Sequence, residues 1–241
     1  MTTTDLRPVP AVLDNTLPRH VAFIADGNRR WAKAHGTTVE EGFRQGAAAV
    51  HRTLEYCRTL GIETASVFLM SDRNFERDPA EVAVLLDVIA DLVDTEAAAS
   101  TGPVRILSSG ATMPVRAPQF LIDTIERAER KTADRTGMTV CFGIGYDGHA
   151  DITQAMYRAA TEPHRALQDA PAVQDYLTTA GLSDPDLVIR TSGERRLSGF
   201  LLWQAADATI HFDDRLWPEY DTDALIEALA VHSTQTRTYG R

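Results

Sequence analysis

The chain has 241 residues, 44% of them hydrophobic and 24% charged, and a net charge of −10. That is the balance of an ordinary globular protein, long enough to bury a core without disulfide or metal staples. So acidic a surface excludes a general nucleic-acid binder and tight electrostatic docking on anionic membranes, and an anionic ligand would need a local basic pocket.

In chain order, residues 1–18 are rich in Thr and Pro without periodicity and read as a loose arm before one domain over 19–241. No charged start with an apolar run behind it marks a signal peptide, and no apolar stretch is long enough to span a bilayer. The expectation is a cytoplasmic protein with no stable membrane insertion. His20 to Ala25 (HVAFIA) is a short apolar run stopped by Asp26-Gly27-Asn28, which reads as a buried strand ending in a turn. Gly42 to Leu60 has helical spacing and a glycine stop at Gly61. Thr64 to Met70 is a second strand, ending in Ser71-Asp72-Arg73-Asn74, and Pro79 to Leu92 is an amphipathic helix with Pro and Glu in its first turn. Val104 to Leu107 (strand), Pro118 to Thr132 (helix), Met138 to Ile144 (strand) and Asp151 to Ala160 (helix) follow. Leu187 to Ile189 is a strand leading into Arg190-Thr191-Ser192-Gly193, and Ala208 to Phe212 is a candidate for one more. Periodicity does not decide between helix and loop for Gln204 to Asp207.

Strands alternating with helices give an α/β fold, a single domain with a central, mostly parallel sheet flanked by helices. Ligands of such sheets bind beyond the carboxyl ends of the strands. Three predicted strands end there in polar turns. In the first, the Asp26 carboxylate can hold Mg2+, Gly27 and Asn28 let backbone N–H groups approach a phosphate, and Arg29 and Arg30 offer planar donors. The same residues can equally open a helix, capped by Asp26 or Asn28. In the third, Arg190 and Arg196 flank a Ser/Gly turn followed by Ser198, a set suited to gripping a diphosphate. A plain surface loop with Glu194 paired to Arg190 or Arg196 is the alternative. Ser71 and Asn74 read as substrate contacts or as a helix cap. Cys57 and Cys141 have no metal-like spacing and read as buried thiols, the histidines are scattered, and Ser192 lies in no G-x-S-x-G elbow.

Three segments carry a resemblance. HVAFIADGNRRWAKAHG (20–36), SDRNFERDPAEV (71–82) and DPDLVIRTSGERRLSGFLLWQAADATIHFDDRLWPEYD (184–221) resemble, in order and spacing, the signatures of cis-prenyltransferases, the undecaprenyl diphosphate synthase family. The resemblance implies that family's fold, a homodimer, isoprenoid diphosphate substrates and a hydrophobic tunnel under the sheet. By position it implies that Asp26 binds Mg2+ and the donor diphosphate, with Gly27, Asn28, Arg29, Arg30 and then Trp31 forming the donor loop. Arg190, Arg196 and Ser198 would hold the second diphosphate, with Ser71 and Asn74 near the reacting carbons and Phe75 and Arg77 also at the substrate. The tail QTRTYGR (235–241) loosely resembles a basic tail that reaches the partner's site, or is a plain terminus.

The chain also departs from the family pattern. Val39 and Phe43 stand where the family has a basic residue and a histidine, Arg73 where it has Glu, Phe75 where it has Trp, Gly199 where it has Asn, and Gly145 to His149 replaces an NYGGR-like turn. Thr209 takes the place of a glutamate at the metal, for which Asp207 is a candidate stand-in. Leu69 stands where long-chain members carry a small residue, so a short product is expected, unless Leu69 is simply core packing. A rebuilt donor site further suggests irregular head-to-middle coupling of allylic diphosphates, as in specialised terpenoid metabolism. The rivals are a regular short- or medium-chain Z-type synthase using isopentenyl diphosphate, a cyclase or diphosphatase on the same fold, and a non-catalytic subunit. A pure scaffold has no need of Asp26 and the arginine clamp.

Overall fold

The protein's structure, a computed structural model, describes residues 17–109, 116–161 and 173–235. The expected arm falls outside these except at its end, where Leu17 already packs on the main apolar cluster. All of the 235–241 tail but Gln235 also lies outside them.

Six strands form one sheet: β1 (His20–Ile24), β2 (Thr64–Ser71), β3 (Val104–Leu107), β4 (Thr139–Tyr146), β5 (Leu187–Arg190) and β6 (Thr209–Phe212). Their order is β3-β4-β2-β1-β5-β6 and every pair is parallel. The α-helices lying wholly among the described residues are α1 (Asn28–Ala34), α2 (Val39–Thr59), α3 (Pro79–Ala99), α4 (Gln119–Thr132), α5 (Gly148–Thr161) and α6 (Thr222–Ser233). Thr38 caps α2 through Glu41 N, Asp78 caps α3 through Ala80 N and Glu81 N, and Asp221 caps α6 through Ala224 N. The sequence reading did not assign α6, although Asp221 ahead of buried Ala224, Leu225, Ala228 and Leu229 is a usable signal. Gln204 to Asp207 is turn, not helix.

The two-residue period of the strands sorts their side chains onto two apolar layers. Val21 and Phe23 join the larger cluster, with α2, α3, α4 and α6, while Ala22 and Ile24 join a smaller one with Tyr146, Phe200 and Leu201. Two irregularities break the period. Phe68 pairs with Gly143 and Met70 with Ile144, which leaves Leu69 as an extra residue, and Leu69 and Met70 both pack on the larger cluster. Ser71 then pairs with Tyr146, skipping Gly145, whose φ of 59° only glycine adopts freely. That step turns Tyr146 to the smaller cluster although Ile144 faces the larger. Bulges of this kind re-aim side chains beside functional sites. Cys57 and Cys141 are free and fully buried, and burial pushes their thiols up to about 12 and about 11, so both are inert.

Candidate active site

The carboxyl ends of β1, β2 and β5 carry the three polar segments, as the parallel topology requires. After β1 the chain turns at Gly27 with φ 117°, where a Cβ would lie 3.0 Å from the Leu216 backbone. α1 begins at once, but neither Asp26 nor Asn28 caps it, so the helix reading holds without its cap. Asp26 is instead tied across to β5. Its backbone N–H donates to Thr191 Oγ1 at 3.1 Å, and its carbonyl accepts from that hydroxyl at 2.7 Å and from Trp217 N at 3.0 Å.

Arg190, 3% exposed, joins the first and third segments. Its Nη2 donates to Asp26 Oδ2 at 3.0 Å, and its Nη1 donates to Ser198 Oγ at 2.6 Å and to the Arg196 carbonyl. Arg30 makes the second link, donating to the Ser192 carbonyl at 2.9 Å and to the Ser192 hydroxyl. The two serines that accept from these arginines, Ser192 (φ 77°) and Ser198 (φ 50°), are two of the three non-glycine residues with positive φ among those described. Each such conformation costs about 1–2 kcal/mol. Strain of this kind persists where the surroundings impose it and clusters at functional sites. Arg196 contributes its carbonyl, while its guanidinium pairs with Glu194 at the surface; of the two partners considered for Glu194 this is the one taken, and Arg190 is not.

The second segment is a 3-10 turn over Asp72–Glu76, in which Asn74 Oδ1 accepts from Ser71 N at 2.9 Å. The cap reading of Ser71 and Asn74 is therefore realised. Glu81 bridges this segment to the first, at 3.4 Å from Arg77 Nη1 and 3.6 Å from Arg29 Nε, and burial lowers the Arg77 pKa. Phe75 packs on the larger cluster and lines a cavity of about 480 Å3 with Val82, Leu86 and Phe120. Trp31 stacks on His35 at 4.2 Å, and its backbone N–H donates to the Gly27 carbonyl at 2.9 Å. Val39 is exposed at the start of α2, and Phe43 is absorbed into the core, so neither supplies charge.

The structure brings three groups together: Asp26 with Arg190 and Ser198, Arg30 with the Thr191–Ser192 turn, and Arg29 with Arg77 through Glu81. The sequence reading missed Thr191, Ser192 and Glu81 as working parts, although all three lie inside the motifs it quoted. It also missed Gly46 and Trp217. Glycine inside a helix costs about 1 kcal/mol relative to alanine, and the Gly42/Gly46 pair in α2 was the available signal.

One expectation is corrected. Thr209 pairs with Leu187, while Asp26 lies beyond Ile24, which pairs with Arg190. Three strand steps of about 3.3 Å each set Thr209 about 10 Å below Arg190. Asp207 lies lower still, where its charge adds to burial in raising the Asp184 pKa, so within the chain Asp207 does not replace a carboxylate at Asp26.

Does this site suit Mg2+? Among the described residues no three His, Cys, Asp or Glu side chains cluster to cage a metal. Mg2+ needs no such cage, since it binds one or two carboxylates together with substrate phosphates and water. Asp26 is 39% exposed, and its Oδ1, 4.0 Å from Arg30, is the oxygen not engaged by Arg190. The donor set fits a cation shared with a diphosphate.

A parallel α/β sheet whose strand ends present a part-exposed carboxylate beside an arginine–serine clamp suits a diphosphate-handling protein. The comparisons agree. A family model described as "Putative undecaprenyl diphosphate synthase" matches residues 24–240. The chain is 38% identical to "(2Z,6E)-farnesyl diphosphate synthase" of Mycobacterium tuberculosis and to "Short-chain Z-isoprenyl diphosphate synthase" of Mycobacterium bovis, over 98% of this chain and 93% of each relative. It superposes with a TM-score of 0.85, at 32% identity, on lavandulyl diphosphate synthase from Lavandula x intermedia solved with dimethylallyl diphosphate, covering 94% of this chain and all of that one. The chain belongs to the undecaprenyl diphosphate synthase family of prenyltransferases.

Proposed function

We propose that this protein condenses isoprenoid diphosphates to a short-chain prenyl diphosphate, with Mg2+ as cofactor. The observation that carries the reading is the Arg190 bridge, which joins the cation-binding carboxylate of Asp26 to the Ser198 clamp. The allylic C–O bond breaks and the diphosphate leaves with the electron pair. Arg29, Arg30 and the N–H groups after Gly27 hold that leaving group, and Arg190 with Ser198 and the Arg196 turn holds the second diphosphate. Asp26 would hold Mg2+, which would supply positive charge to offset the charge developing on the leaving diphosphate. The double bond of the second substrate attacks the cation, and transfer of a proton to a diphosphate oxygen or a nearby polar group completes the step. Ser71, Asn74 and Arg77 border the reacting carbons. Fixing two reactants in this way supplies much of the rate, and fixed donors on the leaving group supply more.

The short product is supported by Leu69, which the bulge in β2 packs into the layer under the sheet, and by Phe75 at the neighbouring cavity. A homodimer belongs to the same reading, with β6 as an edge strand carrying exposed Ile210. No helix among the described residues is long and apolar enough to cross a membrane. A second reading, irregular head-to-middle coupling of allylic diphosphates, is favoured by one observation: exposed Val39 and buried Phe43 add no charge of their own to the donor side, which is left to Asp26, Arg29 and Arg30.

The test is product analysis. The protein with Mg2+ is given dimethylallyl, geranyl or farnesyl diphosphate, each with and without isopentenyl diphosphate, and dephosphorylated products are identified by mass spectrometry. Short products that grow by C5 only with isopentenyl diphosphate support regular condensation. Branched products from allylic diphosphates alone support irregular coupling. Diphosphate release without any C–C bond formation would overturn both.

A further inference from the structure

The interior of α2 meets the site at one unusual place. A Cβ built on Gly46 would lie 2.3 Å from Asn28 Oδ1, 2.8 Å from its Cγ and 3.1 Å from its Nδ2. No real contact is that close, so the Asn28 carboxamide occupies the space a side chain at 46 would fill. Gly42, one turn earlier, has a different neighbour: its Cβ would meet the Asn28 carbonyl at 2.5 Å and Ala32 Cβ at 2.9 Å. Gly42 thus seats the backbone of α1, and Gly46 seats the end of a single side chain. Asn28 Oδ1 is buried in that seat with no hydrogen-bond partner among the described residues, so shape rather than a bond holds that oxygen there. The seat is itself bolted to the site. Trp217, 1% exposed, donates from Nε1 to the Gly46 carbonyl at 2.9 Å and from its backbone N–H to the Asp26 carbonyl at 3.0 Å.

We infer that Gly46 is a positioning residue for the condensation proposed above: by carrying no side chain it forms the seat that sets the Asn28 carboxamide against a bound diphosphate. The inference rests on that reading of the site. The backbone at Gly46 is ordinary helix, without positive φ, so alanine fits it and is the better helix former. A purely structural glycine would therefore tolerate Gly46→Ala once Asn28 rotated away. A positioning glycine would not, because a misplacement of about 1 Å can cost about 100-fold in rate.

The experiment compares wild type, Gly46→Ala, Asn28→Ala and the double variant. The readouts are condensation kinetics with Mg2+, binding of inorganic diphosphate by calorimetry, and Tm. Expected for Gly46→Ala are a Tm no lower than wild type, a kcat reduced about 10- to 100-fold, and weaker diphosphate binding. In the Asn28→Ala background the same change should add less than about twofold, since paired effects of contacting residues do not sum. Wild-type kcat and diphosphate binding in Gly46→Ala, or losses that simply multiply in the double variant, would overturn the inference. Should Gly46→Ala misfold, the double variant, which has no clash, decides: folded with the properties of Asn28→Ala supports the seat, and misfolded overturns it. If the wild type forms no condensation product, the functional reading fails by itself, and the diphosphate-binding cycle still tests the seat.

Discussion

The amino ends of β1, β2 and β4 surround a cavity of about 650 Å3, larger than the one of about 480 Å3 beside Phe75 at the carboxyl ends. Both ends are rich in charged and polar groups, but those at the amino end mostly satisfy one another. Asp186 accepts from Arg19 N at 2.8 Å and His20 N at 3.1 Å; His20 lies between the Ser183 carbonyl and Ser66 Oγ, at 2.7 and 2.8 Å; Arg19 pairs with Glu63 at 2.7 Å. Arg58 pairs with Glu55 and fully buried Glu96, leaving only its Nε without a partner. At the carboxyl ends Asn28 Oδ1, Asp72 Oδ1 and Arg190 Nε are all buried without partners, and Ser192 and Ser198 hold left-handed backbones. An unmade hydrogen bond costs about 1–3 kcal/mol per buried group, and of these three atoms a diphosphate could relieve the donor Arg190 Nε, while the two oxygens can accept only from a donor such as water. Among the described residues more buried polar atoms are unpaired at the carboxyl ends, beside the smaller cavity, than around the larger one.

The comparison breaks most sharply at Arg190. Arg190→Ala leaves Asp26 without its ion pair and Ser198 without its donor, and condensation should fall about 100- to 1000-fold in kcat/KM. Arg190→Lys should not restore it, because one ammonium cannot reproduce a planar fork reaching Asp26, Ser198 and the Arg196 carbonyl. Near-wild-type turnover in Arg190→Ala would mean that the carboxyl-end network is structural, like the amino-end one. A smaller effect is expected at Ser192, where function and stability should move apart. Glycine relieves a φ of 77° but removes the hydroxyl that accepts from Arg30. Ser192→Gly should lose about 10-fold in kcat/KM, as for one neutral hydrogen bond to a charged group, with no loss of Tm. A fall in Tm at unchanged turnover would show that this strain serves no site.

Most of the frame was readable because it depends on local signals. HVAFI and TASVFLM are short apolar runs cut off by polar turns, and alternation with helices makes the strands parallel, which fixes the end that carries Asp26, Ser71 and Arg190. What could not be read depends on partners distant in the chain. The bulge at Leu69 and the phase change at Gly145 exist only in the pairing of β2 with β4. Arg30 finds Ser192 across 162 residues, and the seat of Asn28 on Gly46 appears only when α1 lies on α2. Asp207 failed as a stand-in because closeness in sequence to Thr209 says nothing about which end of β6 meets Asp26.

Acid–base behaviour sharpens the other side of the comparison. The hydrogen bond from His51 to buried Glu96 raises the His51 pKa above 6.5. The folded state then holds that proton more tightly than the unfolded chain. The stabilisation is fully present below about pH 6.5 and is lost as pH rises through the raised value. His20 opposes it: burial lowers its pKa, so its contribution is lost as pH falls from about 6.5 through the lowered value. In urea midpoints measured from pH 5 to 9, His51→Gln should abolish the decline on the alkaline side of neutrality and leave the acid-side decline in place. The pH profile of kcat should not change. An alkaline decline identical in wild type and His51→Gln would remove His51 from the account.

The smallest effect is expected at the Arg19–Glu63 pair. Its side chains are 68% and 56% exposed, so water and salt screen the attraction, although the geometry, two nitrogens on one carboxylate oxygen, is good. Glu63→Gln keeps the shape and removes the charge. At physiological salt it should shift neither Tm nor kcat/KM measurably, even though it alters the wall of the larger cavity. Because Arg19 and Glu63 immediately precede β1 and β2, any strain transmitted along those strands would have to pass these residues to reach Asp26 and Ser71. A drop in turnover at unchanged Tm would therefore show that the amino-end cavity is coupled to the site, and the division between a finished end and an unfinished one would have to be abandoned.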